Sequence, residues 1–244
     1  MITIKYIGSK NRLSKELVPI IQSYIDKGCK GYLEPFVGGA NMIDKIKCNI
    51  RIGCDVNKYL IALLNALSKG WTPPKYFSEE EYKEVKNNKG KYEDHIVGYY
   101  GFCGSFGAKW FGGYARSFKS DGVTPRNHPL ESYTNIIKQQ PNLKDVIFKC
   151  CDFRKIRDVK NFVIYCDPPY KNGTKYATGE FPYEEFYDWC KEMSKDNVVL
   201  ISEYSMPDDF ECIWSKETKV LIDSNRKSND DNNNRIEKLF IYKR

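Results

Sequence analysis

The sequence predicts an α/β fold, a Rossmann-like sheet interrupted by an insertion, and three observations carry that prediction. Short apolar runs at 31–34, 51–55, 146–151, 162–166 and 198–202 alternate with stretches of helical period. The first run leads into a glycine turn and a further helical pattern, the opening unit of a doubly wound sheet. The stretch 72–145 breaks the alternation with aromatics, glycines and cations that follow neither helix nor strand period. The expected organisation is a sheet domain from 1–71 and 146–244, with 72–145 inserted.

In chain order, Gly8 and Ser9 end a short extended piece, and Ser9 is placed to cap a following helix. Leu13, Leu17, Ile20 or Ile21, and Tyr24 give that helix its apolar stripe, with Pro19 as a kink. Tyr6 and Lys10 flank the turn. They read as an aromatic ring and an ammonium for an amphoteric ligand, or as a packed ring beside a solvent cation. Glu34-Pro35-Phe36-Val37-Gly38-Gly39-Ala40-Asn41 follows the first strand, and Met42, Ile43 and Ile46 predict a helix after it. Gly38 and Gly39 would let the backbone approach a ligand closely. The pattern is neither GxGxxG nor GxxxxGK[ST], so neither a dinucleotide nor a nucleoside triphosphate is indicated. Asp55 ends the second strand where such folds place an acid on a ribose, though it also suits a plain strand-end turn. Asn57 caps a helix over 58–69 that buries Leu60, Leu63, Leu64 and Leu67 and stops at Gly70.

Ser78-Glu79-Glu80-Glu81 predicts a capping box for a helix carrying Tyr82 and Val85. The segment 99–116 reads as loops built on aromatic anchors and cations, a surface for bases and phosphates or a small satellite core. A helix is expected over 129–140. Strand 146–151 ends in Asp152-Phe153, an acid and a ring suited to an adenine. A polar loop at 171–179 is placed to cover a site, a helix covers 181–195, and strand pieces follow at 213–214 and 220–222. A polar, disordered loop is expected over 223–234, and 235–242 forms the last strand.

The centre of this organisation is Asp167-Pro168-Pro169-Tyr170, at the carboxyl end of the run 162–166. Two prolines stiffen the backbone and hold Asp167 extended. The corner offers a carboxylate, free carbonyls and a ring, which can hold an amino group by two acceptors and stack a flat base. Taken alone, it also reads as a proline-rich turn.

The totals narrow the function. The 244 residues carry a net charge of +7. Residues 101–160 hold 11 Lys and Arg against 5 Asp and Glu, which suggests nucleic acid, or a solvated basic surface. No apolar run reaches membrane-spanning length, and residues 1–5 do not read as a signal peptide, so the cytoplasm is expected. Nine cysteines, an odd number that includes Cys54, Cys150 and Cys166 in strand-like runs, read as buried free thiols. With two histidines and no CxxC pair, neither a zinc site nor a histidine-based triad is expected.

Three signals together resemble the Dam-type DNA adenine methyltransferases, which use S-adenosylmethionine. They are Lys-Tyr-Ile-Gly-Ser-Lys-Asn-Arg-Leu at 5–13, Glu-Pro-Phe-Val-Gly-Gly at 34–39 with Asp55 beyond it, and Asp-Pro-Pro-Tyr at 167–170. The resemblance implies a Rossmann-like methyltransferase sheet with an inserted target recognition domain. It implies that Tyr6 and Lys10 line the cofactor pocket and that Phe36, Gly38 and Gly39 shape its floor, with Glu34 supporting the turn. Asp55 would bind the ribose, and Asp152 with Phe153 the adenine ring. Asp167 would lie beside methyl donor and target amine, with the Pro168 carbonyl as second acceptor and Tyr170 as stacking ring. Ala40-Asn41 departs from the small residues of many relatives.

The expected reaction is methyl transfer to the exocyclic amine of a flipped-out adenine in duplex DNA, without a metal, by a monomer or weak dimer. Lys109, Arg116, Lys119 and Arg126 are the expected DNA contacts, with Phe111 or Tyr114 as a wedge. The alternatives are a cytosine or RNA amino-methyltransferase with the same corner, and a DNA-binding module without catalysis. Restriction–modification, phage protection and regulation are all compatible with the sequence.

Overall fold

The computed structural model describes residues 4–170, 181–219 and 234–243. Its strands are β1 (Gly31–Glu34), β2 (Arg51–Asp55), β3 (Val146–Cys150), β4 (Phe162–Cys166), β5 (Val198–Glu203), β6 (Phe210–Lys219) and β7 (Asn234–Tyr242). They form one sheet in the order β3-β2-β1-β4-β5-β7-β6. The first five are parallel, and β7 lies antiparallel between β5 and β6. From β1 the chain steps outward to β2 and β3. From β4 it steps the other way to β5. The β1–β4 boundary is therefore the switch point, where open α/β sheets place ligands beyond the strand carboxyl ends.

Alternation along the strands builds two cores. Tyr32, Val163, Tyr165 and Leu200 face one side, with α1 (Ser14–Ile25), α2 (Lys58–Ser68) and α5 (His128–Leu143) packed in the same cluster. Leu33, Ile164, Cys166 and Ile201 face the other side, covered by Phe186, Tyr187 and Cys190 of α6 (Tyr183–Ser194). Burial on both faces explains why the central strand β4 is an unbroken apolar run. All nine cysteines are unpaired. Cys150, expected to be buried, is exposed because β3 is an edge strand.

The expected helix after the glycine turn is a single 3₁₀ turn, Ile43–Lys45. Met42, Ile43 and Ile46 are buried as their spacing implies, but the backbone is not helical around them. Ala40 takes a left-handed φ of 56°, and Ile46 is extended after the turn. Among the described residues no α-helix follows the glycine turn directly, as one does in the usual nucleotide-binding unit.

The capping box at Ser78 and Glu81 forms and starts α3 (Glu79–Asn87). Beyond it, α4 (Asp94–Gly98) runs into a π-helical turn, Tyr99–Cys103. Every residue of that turn is buried, which erases the amphipathic pattern by which a helix is recognised. A Cβ at Gly98 would stand 2.3 Å from the Tyr59 carbonyl oxygen, so glycine is required where α4 crosses α2. Phe77, Tyr82, Val97, Tyr99, Phe102 and Ile136 join the cluster of α1 and α2. The inserted segment thus shares the core of the sheet. Strand β6 is longer than its apolar pair at 213–214, because polar residues alternate through an edge strand. The loop expected at 171–179, the strand piece at 220–222 and the loop from 223 to 233 lie outside the described residues. Among the described residues no helix is long and apolar enough to cross a membrane.

Candidate active site

The corner after β4 is assembled from five parts of the chain. Lys10 lies in a 3₁₀ turn, Lys10–Arg12, whose first turn is capped by the Ser9 hydroxyl. Its ammonium is 3.0 Å from Asp167 Oδ1, 3.8 Å from Glu237 Oε2 and 4.4 Å from the centre of the Tyr170 ring. The Tyr170 hydroxyl donates to Glu237 Oε2 at 3.0 Å, and its ring meets that of Tyr204 edge-on at 4.6 Å. Arg235 donates to the Tyr204 hydroxyl. The Pro169 carbonyl accepts from the Tyr183 hydroxyl at 3.0 Å, which ties the corner to α6.

Burial governs the ionisation here. It pushes the Asp167 carboxyl up, Lys10 opposes that shift, and Glu237 adds to it. Burial alone would lower the Lys10 pKa, but Asp167 and Glu237 outweigh it and hold the ammonium charged. Glu34, at the end of β1, accepts from the Tyr32 hydroxyl at 2.7 Å, and burial raises its carboxyl well above the ordinary range.

A second group lies beyond β1 and β2. Asp55 accepts from the Gly38 amide at 3.3 Å and the Asn57 amide at 2.9 Å. Burial pushes its pKa up to about 6, against those backbone donors. Gly38 (φ 48°) and Gly39 are needed for packing. A Cβ on Gly38 would stand 3.0 Å from the Tyr6 ring, and one on Gly39 would stand 2.9 Å from Tyr6 Cβ and 2.8 Å from Asn41 Nδ2. The close approach expected of a ligand is made by Tyr6, which these glycines seat against the turn. Asn41, the departure noted in the sequence, donates to the Ser9 hydroxyl at 2.7 Å and fastens the segment that carries Lys10.

The Phe36 and Phe153 rings pack 5.7 Å apart in a cage with Phe181 and Phe186. Asp152 is bonded to the Arg154 side chain through both oxygens. Asp55 and Asp167 end strands two places apart, a separation of roughly 10 Å. That span suits a nucleoside with its ribose on Asp55 and a charged 5′ substituent reaching Asp167. The carboxylates and the apolar cage fit such a cationic ligand.

Of the expected DNA contacts, Lys109, Arg116, Lys119 and Arg126 are exposed. Arg116 pairs with Glu79, and Arg126 with Glu131. The expected wedges are corrected by burial. Phe111 is 6% exposed and packs on Tyr82 and Trp110, and Tyr114 is half-buried with its hydroxyl on the Phe77 carbonyl. The exposed rings of the insertion are Tyr76, Phe106 and Phe118, the last on a hairpin bridged to Pro125. Among the described residues no cluster of His, Cys, Asp and Glu could hold a metal.

Sequence reasoning missed Glu237, Tyr204 and Gln139. Gln139 of α5 is 2% exposed. Its Oε1 accepts from the Ile4 amide at 2.8 Å, and its Nε2 donates to the Gly39 and Ala40 carbonyls at 3.1 Å each. It therefore joins the Tyr6 segment to the glycine turn. A signal was present for two of the three. Gln139 stands in the buried stripe Ser132, Ile136, Gln139, Leu143, and Glu237 shares a strand face with the buried Leu239.

The chain matches the family model described as D12 class N6 adenine-specific DNA methyltransferase over residues 6–228. It is 24% identical over 215 residues to the type II methyltransferase M.FokI of Planomicrobium okeanokoites, covering 76% of this chain and 31% of that one. It is 26% identical over 233 residues to the DNA adenine methylase of Haemophilus influenzae, covering 81% of this chain and 77% of that one. The chain thus spans about a third of M.FokI and most of the Haemophilus protein. The crystal structure of SMU.472, a putative methyltransferase complexed with SAH, matches with a TM-score of 0.41 and 10% identity, covering 97% of this chain and 53% of that one.

Proposed function

Because the chain belongs to the D12 class N6 adenine-specific DNA methyltransferase family, we propose that the corner at Asp167 transfers a methyl group from S-adenosylmethionine to the 6-amino group of adenine in double-stranded DNA. The observation that carries this reading is the convergence of Lys10, Asp167 and Tyr170 at the carboxyl end of β4, beside the switch point of the sheet.

Bound S-adenosylmethionine supplies an activated methyl group on a cationic sulfur. The chain supplies the positioning. Asp55 accepts the ribose hydroxyls, Phe36 and Phe153 line the adenine side, and Tyr6 with the glycine turn forms a wall. Asp167 accepts one N–H of the target amine and the Pro168 carbonyl the other, which aims the nitrogen lone pair at the methyl group. Asp167 also takes the proton that the amine loses as it gains its methyl. A carboxyl pushed up by burial is a better temporary holder of that proton than an exposed one.

Reaching this corner requires the adenine to leave the helix, at a cost of a few kcal/mol. Stacking on Tyr170 offsets about 1–3 kcal/mol of it. Lys109, Arg116, Lys119 and Arg126 grip phosphates, and the exposed Phe106 and Phe118 replace Phe111 and Tyr114 as rings able to enter the stack. The proposed working state is a monomer or weak dimer.

The test is incubation with S-adenosylmethionine carrying a labelled methyl group, offered unmethylated duplex DNA and RNA separately, with the modified base mapped. Label on adenine within one short DNA motif supports the proposal and identifies the target. Label on cytosine or RNA refutes the substrate. DNA binding without transfer refutes catalysis.

A further inference from the structure

Lys10 occupies the positions that a target base requires. Its ammonium holds the Asp167 oxygen at 3.0 Å and lies over the Tyr170 ring at 4.4 Å. An amine bound by Asp167, with its base stacked on Tyr170, must displace it from both. The ammonium is buried, its side chain 9% exposed. A buried ammonium cannot leave one carboxylate unless another acceptor receives it, because an unpaired charge away from water is far more costly than a lost neutral hydrogen bond.

Glu237 is that acceptor. Strand β7 lies beside β5, and its alternation brings Glu237 toward the corner. Its Oε2 stands 3.8 Å from Lys10 Nζ and accepts from the Tyr170 hydroxyl. A movement of about 1 Å would bring the ammonium within the range of a charge-assisted hydrogen bond.

We propose that Glu237 is a positioning residue of the methyl-transfer site, which receives the Lys10 ammonium when the target amine takes Asp167 while it anchors the Tyr170 hydroxyl. The inference rests on the function proposed above, since it assigns a role within that reaction. Charge balance supports it. With Lys10 moved to Glu237 those two groups neutralise each other, and Asp167 faces the amine and the cationic sulfur as an anion. Without the Glu237 charge the ammonium stays on Asp167, where it competes with the amine and repels the sulfonium.

The test is a double-mutant cycle in the full chain, with kcat followed across pH and affinity for S-adenosylhomocysteine measured alongside. Glu237→Gln keeps the shape and an acceptor for Tyr170 but removes the charge. Its kcat should fall about tenfold or more, the scale of one lost charge-assisted hydrogen bond, with product affinity unchanged. Asp167 is faced by Lys10, by Glu237 of β7, by Glu34 of β1 and by Tyr165 and Tyr170, with Tyr204 beside Lys10. Removing the Glu237 charge should therefore move the acid limb of kcat to lower pH. Tyr170→Phe, which spares that charge, should leave the limb in place. In a Lys10→Met background, Glu237→Gln should change kcat less than about twofold, since the two residues then share no interaction. Additive effects, or a Glu237→Gln loss no greater than that of Tyr170→Phe with an unmoved limb, would overturn the inference. Inactive wild-type protein would instead refute the functional reading itself.

Discussion

Replacing Gln139 with Met tests whether the cofactor pocket is held together from the insertion side. The substitution preserves length and apolar volume and removes three hydrogen bonds, those to Ile4, Gly39 and Ala40. At roughly 1 kcal/mol per bond, plus the penalty for leaving the Ile4 amide unpaired, the expected loss is about 3–5 kcal/mol. A domain of ordinary stability, about 5–15 kcal/mol, survives that in the folded state. The same bonds fix the Tyr6 segment against the glycine turn, so affinity for S-adenosylhomocysteine should fall about tenfold, or 1.4 kcal/mol. Urea unfolding and calorimetric titration measure the two effects. Gln140→Met is the control: its amide bonds the Leu67 and Trp71 carbonyls, away from the pocket. It should lose about 1–2 kcal/mol of stability with no change in affinity. A loss below about 1 kcal/mol for Gln139→Met, or equal affinity changes in the two variants, refutes the clasp.

Three further outcomes are expected. Asp167→Asn should lower turnover about a hundredfold or more while product binding stays measurable, because the amide neither carries the charge nor takes the proton; near-normal turnover would remove Asp167 from the chemistry. Cofactor affinity should be level above pH 7 and weaken as pH falls through about 6, where the raised Asp55 carboxyl takes up a proton and loses its charge. Asp55→Asn should abolish that dependence, and a flat wild-type titration from pH 5 to 7.5 would count against Asp55 as the ribose ligand. Arg116→Ala should reduce the slope of log affinity for DNA against log salt by about 0.9. Its pair with Glu79 is exposed and screened by solvent, too weak to keep a phosphate away; an unchanged slope places Arg116 outside the interface.

What could be read in advance depended on how local the cause was. The β4 run, the Ser78 capping box and the Asn57 cap are decided within a few residues, and each is found where expected. The helix over 42–46 failed because burial and backbone separated: the apolar spacing was satisfied, but Ala40 turned left-handed and only one 3₁₀ turn followed it. The turn at 99–103 was hidden because it is buried all round. Phe111 and Phe118 have the same side chain, and only the packing of Tyr82 and Trp110 separates the core ring from the exposed one. Asp167 and Lys10 were visible as motif residues. For Glu237 the sequence offered only a strand face shared with Leu239; its partners Lys10 and Tyr170 are distant in the chain and are brought to it by the place of β7 in the sheet.

Helix α5 bears on how specificity can be exchanged between relatives. It begins beside the hairpin that carries Arg126, which pairs with Glu131, and it ends past Gln139 at the glycine turn. A chimera cut at residue 145 would import a foreign helix into the donor pocket and lose the Gln139 contacts with it. A cut ahead of Asn127, the residue that caps α5, would transplant the hairpin and leave those contacts intact. The unit of exchange is therefore shorter than the inserted segment, and grafts should tolerate a new 117–126 hairpin while rejecting a new α5.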